Sequence, residues 1–390
     1  PIPCSLAKLV ELQSHVLVFG EDDRELDASQ AFNLTNGLWE VFKPSGINHV
    51  LTGFKRASVS RPTLIIPDGQ AGQLQGISPD VCSKSSFLFG TDDEPFIVCI
   101  NKETFESRIY PVPLELRLRN YQAVLRISDT EVFFTGGTNA AQSKIVRTTY
   151  ILDLTTMKVE ECDACRYSRF AHQLVLIGDF IYSIGGRQLG NSDVAILNKV
   201  ERFNLKYRKW ERMTSMNFSR CTFNAVACND KIIVAGGFTH GDTCLTLVEI
   251  YDTKKDIWVN SSITLPTELE AGFSYVDPGS NEWVIIGGKT NFDCVDTIFV
   301  TKLLPTAPWL SPFESRSLIV QNRCLHKGFI SGQNIAIFGG THVMAHFGEI
   351  LSRSEFVYDD VLSPKLMESL KTVLAQVNFN GNMLKSASLV

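Results

Sequence analysis

Five apolar runs that each end in a glycine pair recur along this chain at a nearly constant interval. The pairs begin at residues 136, 185, 236, 287 and 339, so the steps between them are 49, 51, 51 and 52 residues. A fixed period of this length is the signature of a repeat architecture. Two weaker copies, with one glycine each, end at Gly20 and Gly90. The sequence therefore predicts seven units of one repeated structure.

Each unit also carries strand signals on either side of its glycines. After the glycines, an aromatic or aliphatic residue with Asp or Asn is followed seven positions later by a bulky residue, as at Tyr251-Asp252 and Trp258. A further strand-like segment precedes the glycines, as at residues 171–176. Four short strands separated by turns make one blade of a β-propeller. Glycine permits close backbone approach and positive φ near the channel, and Trp fills the wedge between blades.

The glycine pair, the Tyr-Asp step and the later Trp together resemble a kelch repeat. The unit with Gly236-Gly237, Tyr251-Asp252 and Trp258 resembles it most. The resemblance covers about residues 10 to 360 and implies an all-β fold, a kelch-type β-propeller, without implying one activity. We expect seven blades, with six as the alternative. The blades are expected at about residues 5–45, 46–114, 115–164, 165–214, 215–266, 267–315 and 316–362.

A C-terminal tail is expected over residues 363–390. Ser363-Pro364 is a helix start signal, and apolar residues between 366 and 377 share one helical face. The last unit has no outer-strand Trp. Either residues 383–390 or the residues near Ile2 are expected to supply its missing strand and to close the ring, which removes exposed sheet edges.

Composition excludes several classes of partner. The formal net charge is −5, which excludes a strongly basic nucleic-acid coat. No apolar run approaches the roughly 18 residues that a membrane helix needs. Several of the ten cysteines, such as Cys99 and Cys228, lie in strand-like apolar runs and are predicted to be small core side chains. We therefore expect a reduced protein of the cytoplasm, rather than a secreted one, with no nucleic-acid partner and no membrane span.

An arginine recurs 16 or 17 residues before four of the glycine pairs. These residues are Arg119, Arg169, Arg220 and Arg323. The kelch resemblance implies that they line a pocket for an acidic peptide near the channel mouth, where a guanidinium group can bind a carboxylate through two hydrogen bonds. The alternative is that they bond turn carbonyls of neighbouring loops. The loops after the glycines are expected on the same face and add Arg187, His240, Lys289 and His342.

No catalytic or cofactor motif stands out. The pair Cys162 and Cys165 is a lone CxxC, whereas structural zinc needs four ligands, so we expect no metal and no cofactor. Ser58 follows basic residues in the stretch 54–66 and is a candidate phosphosite. The sequence favours a non-enzymatic protein-interaction module that binds a protein partner as an adaptor, or as a structural subunit of a larger complex. The alternative is an enzyme, oxidase or sugar isomerase-like, with its site at the channel mouth.

Overall fold

A computed structural model gives the fold in two compact units, Pro1–Gln75 and Gly76–Val390. It describes residues 7–12, 15–20, 29–33, 39–42, 76–90, 95, 97–102, 107–139, 144–189, 194–241, 243–277, 279–317, 324–325, 327–331, 334–338, 342–343, 350–351, 355–357 and 388–389. The candidate phosphosite Ser58 and the predicted helix after Pro364 lie outside these residues. The boundaries expected for the blades stay a prediction.

The first unit contains one antiparallel sheet, sheet I, with its strands in chain order. Its strands are β1 (Ala7–Leu12), β2 (His15–Gly20), β3 (Ser29–Asn33) and β4 (Trp39–Phe42). The register pairs Val16 with Phe32, and Phe32 in turn with Trp39. This unit therefore contains four antiparallel strands, the number that the repeat pattern predicts for one blade.

The second unit begins with a short helix and continues with strands. The elements up to the fourth sheet are α1 (Pro79–Lys84), β5 (Ser85–Phe89), β6 (Ile97–Asn101), β7 (Ser107–Tyr110), β8 (Ala123–Arg126), β9 (Glu131–Thr135), β10 (Thr138–Asn139), β11 (Lys144–Ile145), β12 (Thr149–Asp153), β13 (Lys158–Cys162), β14 (Gln173–Ile177), β15 (Phe180–Ile184), β16 (Arg187–Leu189), β17 (Val194–Ile196), β18 (Val200–Asn204) and β19 (Lys209–Met213). Ser78 caps α1, and its hydroxyl accepts from the Val81 amide.

The remaining strands complete the unit. They are β20 (Asn224–Cys228), β21 (Lys231–Ala235), β22 (Phe238–Thr239), β23 (Thr243–Cys244), β24 (Val248–Asp252), β25 (Ile257–Asn260), β26 (Phe273–Asp277), β27 (Glu282–Ile286), β28 (Thr297–Lys302), β29 (Glu314–Ser317), β30 (Lys327–Ser331), β31 (Asn334–Phe338), β32 (His342–Val343), β33 (Ile350–Leu351), β34 (Glu355–Val357) and β35 (Ser388–Leu389).

These strands form six consecutive antiparallel sheets in the described part of the second unit. They are sheet II (β35, β5, β6, β7), sheet III (β8, β9, β12, β13), sheet IV (β14, β15, β18, β19), sheet V (β20, β21, β24, β25), sheet VI (β26 to β29) and sheet VII (β30, β31, β34). The small hairpins β10–β11, β16–β17, β22–β23 and β32–β33 extend the connection between the second and third strands. Four strands per repeat is the propeller pattern predicted from the glycine period.

A chain of backbone hydrogen bonds joins the sheets where their inner strands begin. Tyr121, Ala171, Thr222, Ala271 and Leu325 all have φ between 51° and 57°. Starting with Ala171, the backbone amide of each of these residues donates a hydrogen bond to the backbone carbonyl of the preceding residue in this series, at 2.7 to 3.2 Å. Inner strands β8, β14, β20 and β26 also contact one another in that order. Sheets III to VII are therefore arranged side by side around a common centre.

The C-terminal strand lies between the two ends of this series. β35 pairs antiparallel with β5, with Ser388 opposite Phe89 and Leu389 opposite Leu88. It also contacts β8 of sheet III and β30 of sheet VII. From the sequence, either residues 383–390 or the residues near Ile2 are expected to complete the last sheet, whereas Ser388 and Leu389 supply the inner strand of sheet II. The preferred count of seven blades is not confirmed, because the described circle in this unit comprises six sheets.

Aromatic side chains fill the space between neighbouring sheets, as predicted for the outer-strand Trp. Trp258 stacks on Tyr251 with ring centroids 4.8 Å apart, and its Nε1 donates to the carbonyl of Thr214 in the preceding connection. Trp210 contacts Phe133 of sheet III, and its Nε1 donates to the carbonyl of Asp163. Each Trp therefore donates a hydrogen bond to the connection before its own sheet, and the ring of Trp210 also contacts the preceding sheet.

The glycine pair is required by the neighbouring sheet. Gly236 and Gly237 have φ of 69° and 97°. The amide of Gly237 donates to the carbonyl of Leu269 in sheet VI, and a Cβ at Gly236 would collide with that same carbonyl oxygen. A side chain is therefore excluded at this position for both conformational and steric reasons, which explains why the pair marks the repeats so clearly.

Candidate functional site

The connections between strands gather at one edge of sheets III to VI. In sheet IV the register aligns Gln173 with Ile184, Ile184 with Val200, and Val200 with Met213. The first strand therefore begins at the edge where the second strand ends. We call the connections at this edge the loop face, and its described residues are 111–122, 136–139, 144–148, 163–172, 185–189, 194–199, 214–223, 236–241, 243–247, 261–272 and 287–296.

Two of the predicted site arginines are buried beneath this face. The side chains of Arg169 and Arg220 have no exposed surface. Nη1 of Arg220 donates to the carbonyls of Gly236 and Leu247, at 2.7 and 3.0 Å. Nη1 of Arg169 donates likewise to the carbonyls of Gly185 and Lys199. The expectation that these two arginines line a pocket for an acidic peptide is therefore wrong, because their donors already bond loop carbonyls.

Each buried arginine also faces a carboxylate of its own sheet. Nη2 of Arg220 lies 2.7 Å from Oε2 of Glu249, and Nη2 of Arg169 lies 2.8 Å from Oε2 of Glu201. Burial lowers the pKa of both guanidinium groups, and the facing carboxylate opposes this effect. A buried pair of this kind stays charged because it supplies its own counter-ion and because backbone carbonyls satisfy the other donors.

The repeats show what replaces this pair elsewhere. In each sheet the second residue before the glycine pair lies on the second strand and has one partner on the third strand. That partner is Glu201 in sheet IV, Glu249 in sheet V and Phe299 in sheet VI. In sheet VI the spacing of 16 residues before the glycine pair points to Ala271, but Ala271 is the left-handed residue equivalent to Thr222, so the arginine position belongs to Leu269, two residues earlier. Leu269 and Phe299 belong to one apolar core. Charge is therefore replaced at both positions together. These residues hold the connections in place.

Arg323 and His342 are the predicted residues whose side chains lie outside the described part of the chain. His342 begins the backbone strand β32. In sheet VII, β31 pairs Ile337 with Glu355, and Glu355 thereby holds the register position of Glu249.

Arg119 differs from its buried counterparts. It is half-buried, and its Nη1 donates to the adjacent carbonyl of Leu118. The residue at the carboxylate position of sheet III is Tyr150. Burial raises the pKa of the Tyr150 hydroxyl, and Arg117 and Arg119 act against this shift. Among the described residues, no carboxylate forms an ion pair with Arg119, and its guanidinium therefore remains a candidate contact for a partner.

The predicted residues after the glycine pairs do lie on the loop face. Arg187 is half-buried, with its guanidinium 5.0 Å from the centre of the Phe238 ring and its Nε 3.1 Å from Sγ of Cys221. His240 is exposed, and its Nε2 lies 3.2 Å from the carbonyl of Ile196 in the neighbouring connection. Lys289 is half-buried and pairs through its backbone with Glu270. The structure thus brings Arg187, His240 and Lys289 to one edge.

Sequence reasoning missed three further arginines on this face. Arg117, Arg147 and Arg166 are exposed in the connections around sheets III and IV. Arg147 and Arg166 are close, because the carbonyl of Arg147 accepts from the amide of Cys165. None of the three has an ion-pair partner among the described side chains. They occupy no common repeat position, so periodicity could not reveal them.

We call Arg117, Arg119, Arg147, Arg166 and Arg187 the basic sector. Glu115 and Asp163 are the described acids in the same connections, and Asp163 is bound to Lys209 at 2.6 Å. The connections of sheets V and VI have the opposite character, with the acids Glu268, Glu270, Asp293 and Asp296. The loop face is therefore divided into a basic part and an acidic part.

Exposed aromatic rings accompany these charges. Phe292 is 80% exposed, Tyr121 is 41% exposed and Phe218 is 36% exposed, and all three lie in connections of the loop face. Tyr121 also contacts the ring of Phe170, 6.2 Å away. Aromatic residues and arginine are the side chains most enriched in protein interfaces.

The described residues contain no group of three or more His, Cys, Asp or Glu side chains placed to hold a metal ion. Cys162 is half-buried, and its thiol lies near the carbonyl of Glu160, whereas the buried thiol of Cys165 donates to the carbonyls of Arg147 and Tyr167. Burial raises the pKa of the Cys165 thiol to about 11. No helix in the described ranges is both long and apolar enough to cross a bilayer.

Comparison with known proteins matches the repeat pattern to kelch domains. The family model described as KLHDC2/KLHL20/DRC7 Kelch-repeats domain matches residues 121–340. Kelch-like protein 40 of Xenopus tropicalis is 29% identical over 133 residues, which is 34% of this chain and 21% of that protein. Kelch repeat and BTB domain-containing protein 1 of cowpox virus is 22% identical over 214 residues, 52% of this chain and 36% of that protein.

A third relative is Kelch-like protein 41b of Danio rerio, 28% identical over 160 residues, with 41% of this chain and 26% of that protein covered. The chain thus spans between a fifth and two fifths of the length of these relatives. The solved structure of YjhT matches with a TM-score of 0.49 and 14% identity, over 57% of this chain and 72% of that chain.

Proposed function

Because this chain belongs to the kelch-repeat family whose model spans residues 121–340, we propose that it is a protein-interaction propeller that binds its partner on the loop face. The observation that supports this most directly is the basic sector, five arginines in neighbouring connections without an ion pair to any described carboxylate. The partner segment that complements it is acidic.

The side chains themselves support a peptide-like ligand. A guanidinium group can form two parallel hydrogen bonds with one carboxylate, so several arginines in a row select a run of Asp or Glu. Tyr121 lies in the same connection as Arg119 and adds an exposed ring for an apolar residue of that segment. The acidic part around Glu268 and Asp293 would repel the same segment and thereby fix its position on the face.

Two roles follow from such binding. In one, the chain is an adaptor that recognises a substrate for a larger complex. In the other, it is a permanent structural subunit. Two of the similar proteins are named Kelch-like, and one is named for kelch repeats with a BTB domain. These names support the proposal that the chain acts as part of a larger complex. We place both roles in the cytoplasm, where the buried thiols stay reduced.

The test is a charge reversal on the basic sector, Arg147→Glu with Arg166→Glu. Both side chains are exposed, so folding is retained. The matched control, Lys206→Glu with Lys255→Glu, makes the same change of charge on two exposed turn residues at the opposite edge. Proteins that co-purify with the wild-type chain are quantified by mass spectrometry for all three forms. Loss of two contacts should weaken binding at least about tenfold, or 1.4 kcal/mol.

We expect the principal partner to be lost with the arginine variant and retained with the lysine variant. Binding of a synthetic acidic segment of that partner should then weaken as salt concentration rises. Equal recovery of partners by both variants would show that the basic sector does not carry the interaction.

A further inference from the structure

Two thiols meet at one interface between sheets. Sγ of Cys294 lies 3.2 Å from Sγ of Cys324, and both residues are 3% exposed. Cys294 lies in the connection of sheet VI, where its backbone pairs with Lys289. Cys324 immediately precedes Leu325, the left-handed residue that begins sheet VII. The contact therefore joins two sheets that the chain places in sequence around the circle.

The repeats show how unusual this pair is within the molecule. In sheets III to VI, the residue directly after the glycine pair has a backbone partner across its hairpin. In chain order these partners are Ile145, Ile196, Cys244 and Cys294. In the sheet that follows each of these, a residue of positive φ begins the inner strand, and the residue just before it is Phe170, Cys221, Glu270 and Cys324 in turn. Of these four described interfaces, the last one, with Cys294 and Cys324, is the one that brings two sulfurs together. The interface between Ile196 and Cys221 offers a matched position with one thiol.

We propose that Cys294 and Cys324 are a reversible disulfide pair, which covalently joins sheet VI to sheet VII when the chain is oxidised. The sulfurs are about 1 Å from bonding distance, so the link forms with small side-chain movements. The nearest alternative at the neighbouring interface is Cys244 beside Glu270, which cannot form such a bond.

The oxidant is a low-molecular-weight disulfide such as oxidised glutathione. One protein thiolate attacks the disulfide, forms a mixed disulfide and releases one glutathione thiolate. The second protein thiolate then attacks the protein sulfur and releases the second glutathione. Two protein thiols lose two electrons and two protons in total, and one disulfide is reduced to two thiols. A reducing dithiol reverses both steps.

Burial sets the rate of this exchange. The hydrogen bond between the two thiols, in which Cys324 keeps its proton, together with burial raises the pKa of the Cys324 thiol, so the reactive thiolate is scarce at neutral pH. We therefore expect formation over hours and faster formation as pH rises. Phe292 lies two residues before Cys294, so the link also restrains the connection that carries the most exposed ring of the loop face.

The experiment uses the full wild-type chain, incubated with oxidised glutathione and then alkylated. Peptide mapping by mass spectrometry should find one cross-linked peptide pair containing Cys294 and Cys324, two hydrogens lighter than the free peptides. The thermal midpoint should rise by several degrees and return to its starting value with dithiothreitol. Cys294→Ala should abolish both changes, whereas the control Cys221→Ala should leave them intact.

Free thiols at both positions after days of incubation at pH 8.5 would overturn the proposal. So would glutathione held as a stable mixed disulfide on either cysteine, or a cross-link to Cys221 or Cys244 in its place. Because the wild-type mapping decides the question alone, a variant that fails to fold does not obscure the result. The outcome is independent of partner binding.

Discussion

Arg220 donates through Nη2 to Oε2 of Glu249 across 2.7 Å, and neither side chain reaches solvent. The other terminal nitrogen of Arg220 bonds two carbonyls of the connection that follows the glycine pair. The charge pair is therefore a support beneath the loop face. Its apolar substitute in sheet VI, Leu269 with Phe299, shows that the fold accepts an uncharged solution at the same place.

Removing one member of the pair should be costly, whereas replacing both should not. We expect Arg220→Leu alone to lower the free energy of unfolding by about 3–5 kcal/mol, because it leaves the Glu249 carboxylate buried without a counter-ion. Arg220→Leu with Glu249→Phe copies sheet VI and should recover most of this loss. Urea unfolding followed by Trp fluorescence measures all three forms.

The ion pair between the half-buried Arg202 and the exposed Glu211 serves as the control, since a pair near the surface contributes about 1 kcal/mol or less. If Arg220→Leu cost no more than Arg202→Leu, the buried pair would not be a support of the fold.

The same arrangement is expected for Arg323. Glu355 holds the register position of Glu249 in sheet VII, and Arg323 holds the sequence position of Arg220. We therefore predict that Arg323→Leu destabilises the chain by about 3–5 kcal/mol and that Arg323→Leu with Glu355→Phe restores stability. A double-mutant cycle from urea unfolding gives the coupling energy. A coupling near zero would show that the two residues do not pair.

His172 should make stability depend on pH. It is buried between sheets, and neither ring nitrogen has a hydrogen-bond partner among the described residues. Burial, with a smaller effect of nearby Arg169, holds the pKa of His172 well below its usual range. The unfolded chain binds a proton near pH 6.5 and the folded chain does not, so stability is lost as pH falls below 6.5. We expect a loss of about 1.4 kcal/mol between pH 7.5 and 5.5.

Phe223 occupies the position of His172 in the next sheet, so His172→Phe is the matched variant. It should remove most of the dependence on pH between 7.5 and 5.5, as read from urea midpoints. His240→Phe, on the exposed loop, is the control and should leave the dependence in place. An unchanged pH profile in His172→Phe would assign the effect to another group.

The C-terminal strand should be required for sheet II. Leu389→Pro removes a backbone donor from β35, and we expect it to lower stability by about 1–3 kcal/mol. It should also increase self-association, because the edge of β5 beside the buried residues Leu88 and Phe89 becomes unpaired. Light scattering and thermal unfolding measure both effects. Ser388→Thr favours the strand and serves as the control, with no loss expected.

The propeller fold could be predicted because its strongest signal is a steric requirement. A side chain at Gly236 meets the carbonyl of Leu269, and the same restriction holds at Gly136 and Gly185. The pairing of β35 could not be predicted in the same way. The two residues of β35 pair with a strand about 300 positions earlier and leave no local pattern, so the sequence predicts this segment only as one of two candidates for the last sheet.

The site was predicted in place but not in role. The arginine spacing is constant because Arg169 and Arg220 bond carbonyls at fixed positions, and a constant spacing does not distinguish this role from recognition of a partner. The sequence does not reveal the carboxylates that pair with these arginines, because the connections differ in length. Glu201 follows the first glycine of its pair by 16 residues, whereas Glu249 follows by 13. Arg147 lies in such a connection and Arg166 in the connection between sheets III and IV, and both could be found only in the folded chain.

The position of β35 also has a consequence for synthesis. Leu389 pairs with β5, the strand that ends at Phe89, but it leaves the ribosome 300 residues later than Phe89. At about 5–20 residues per second, β5 waits roughly 15–60 s for its partner. During that interval the nascent chain presents an open β-edge that a chaperone can shield. A message that ends early would yield a product with this edge permanently open, and such products are natural targets for degradation.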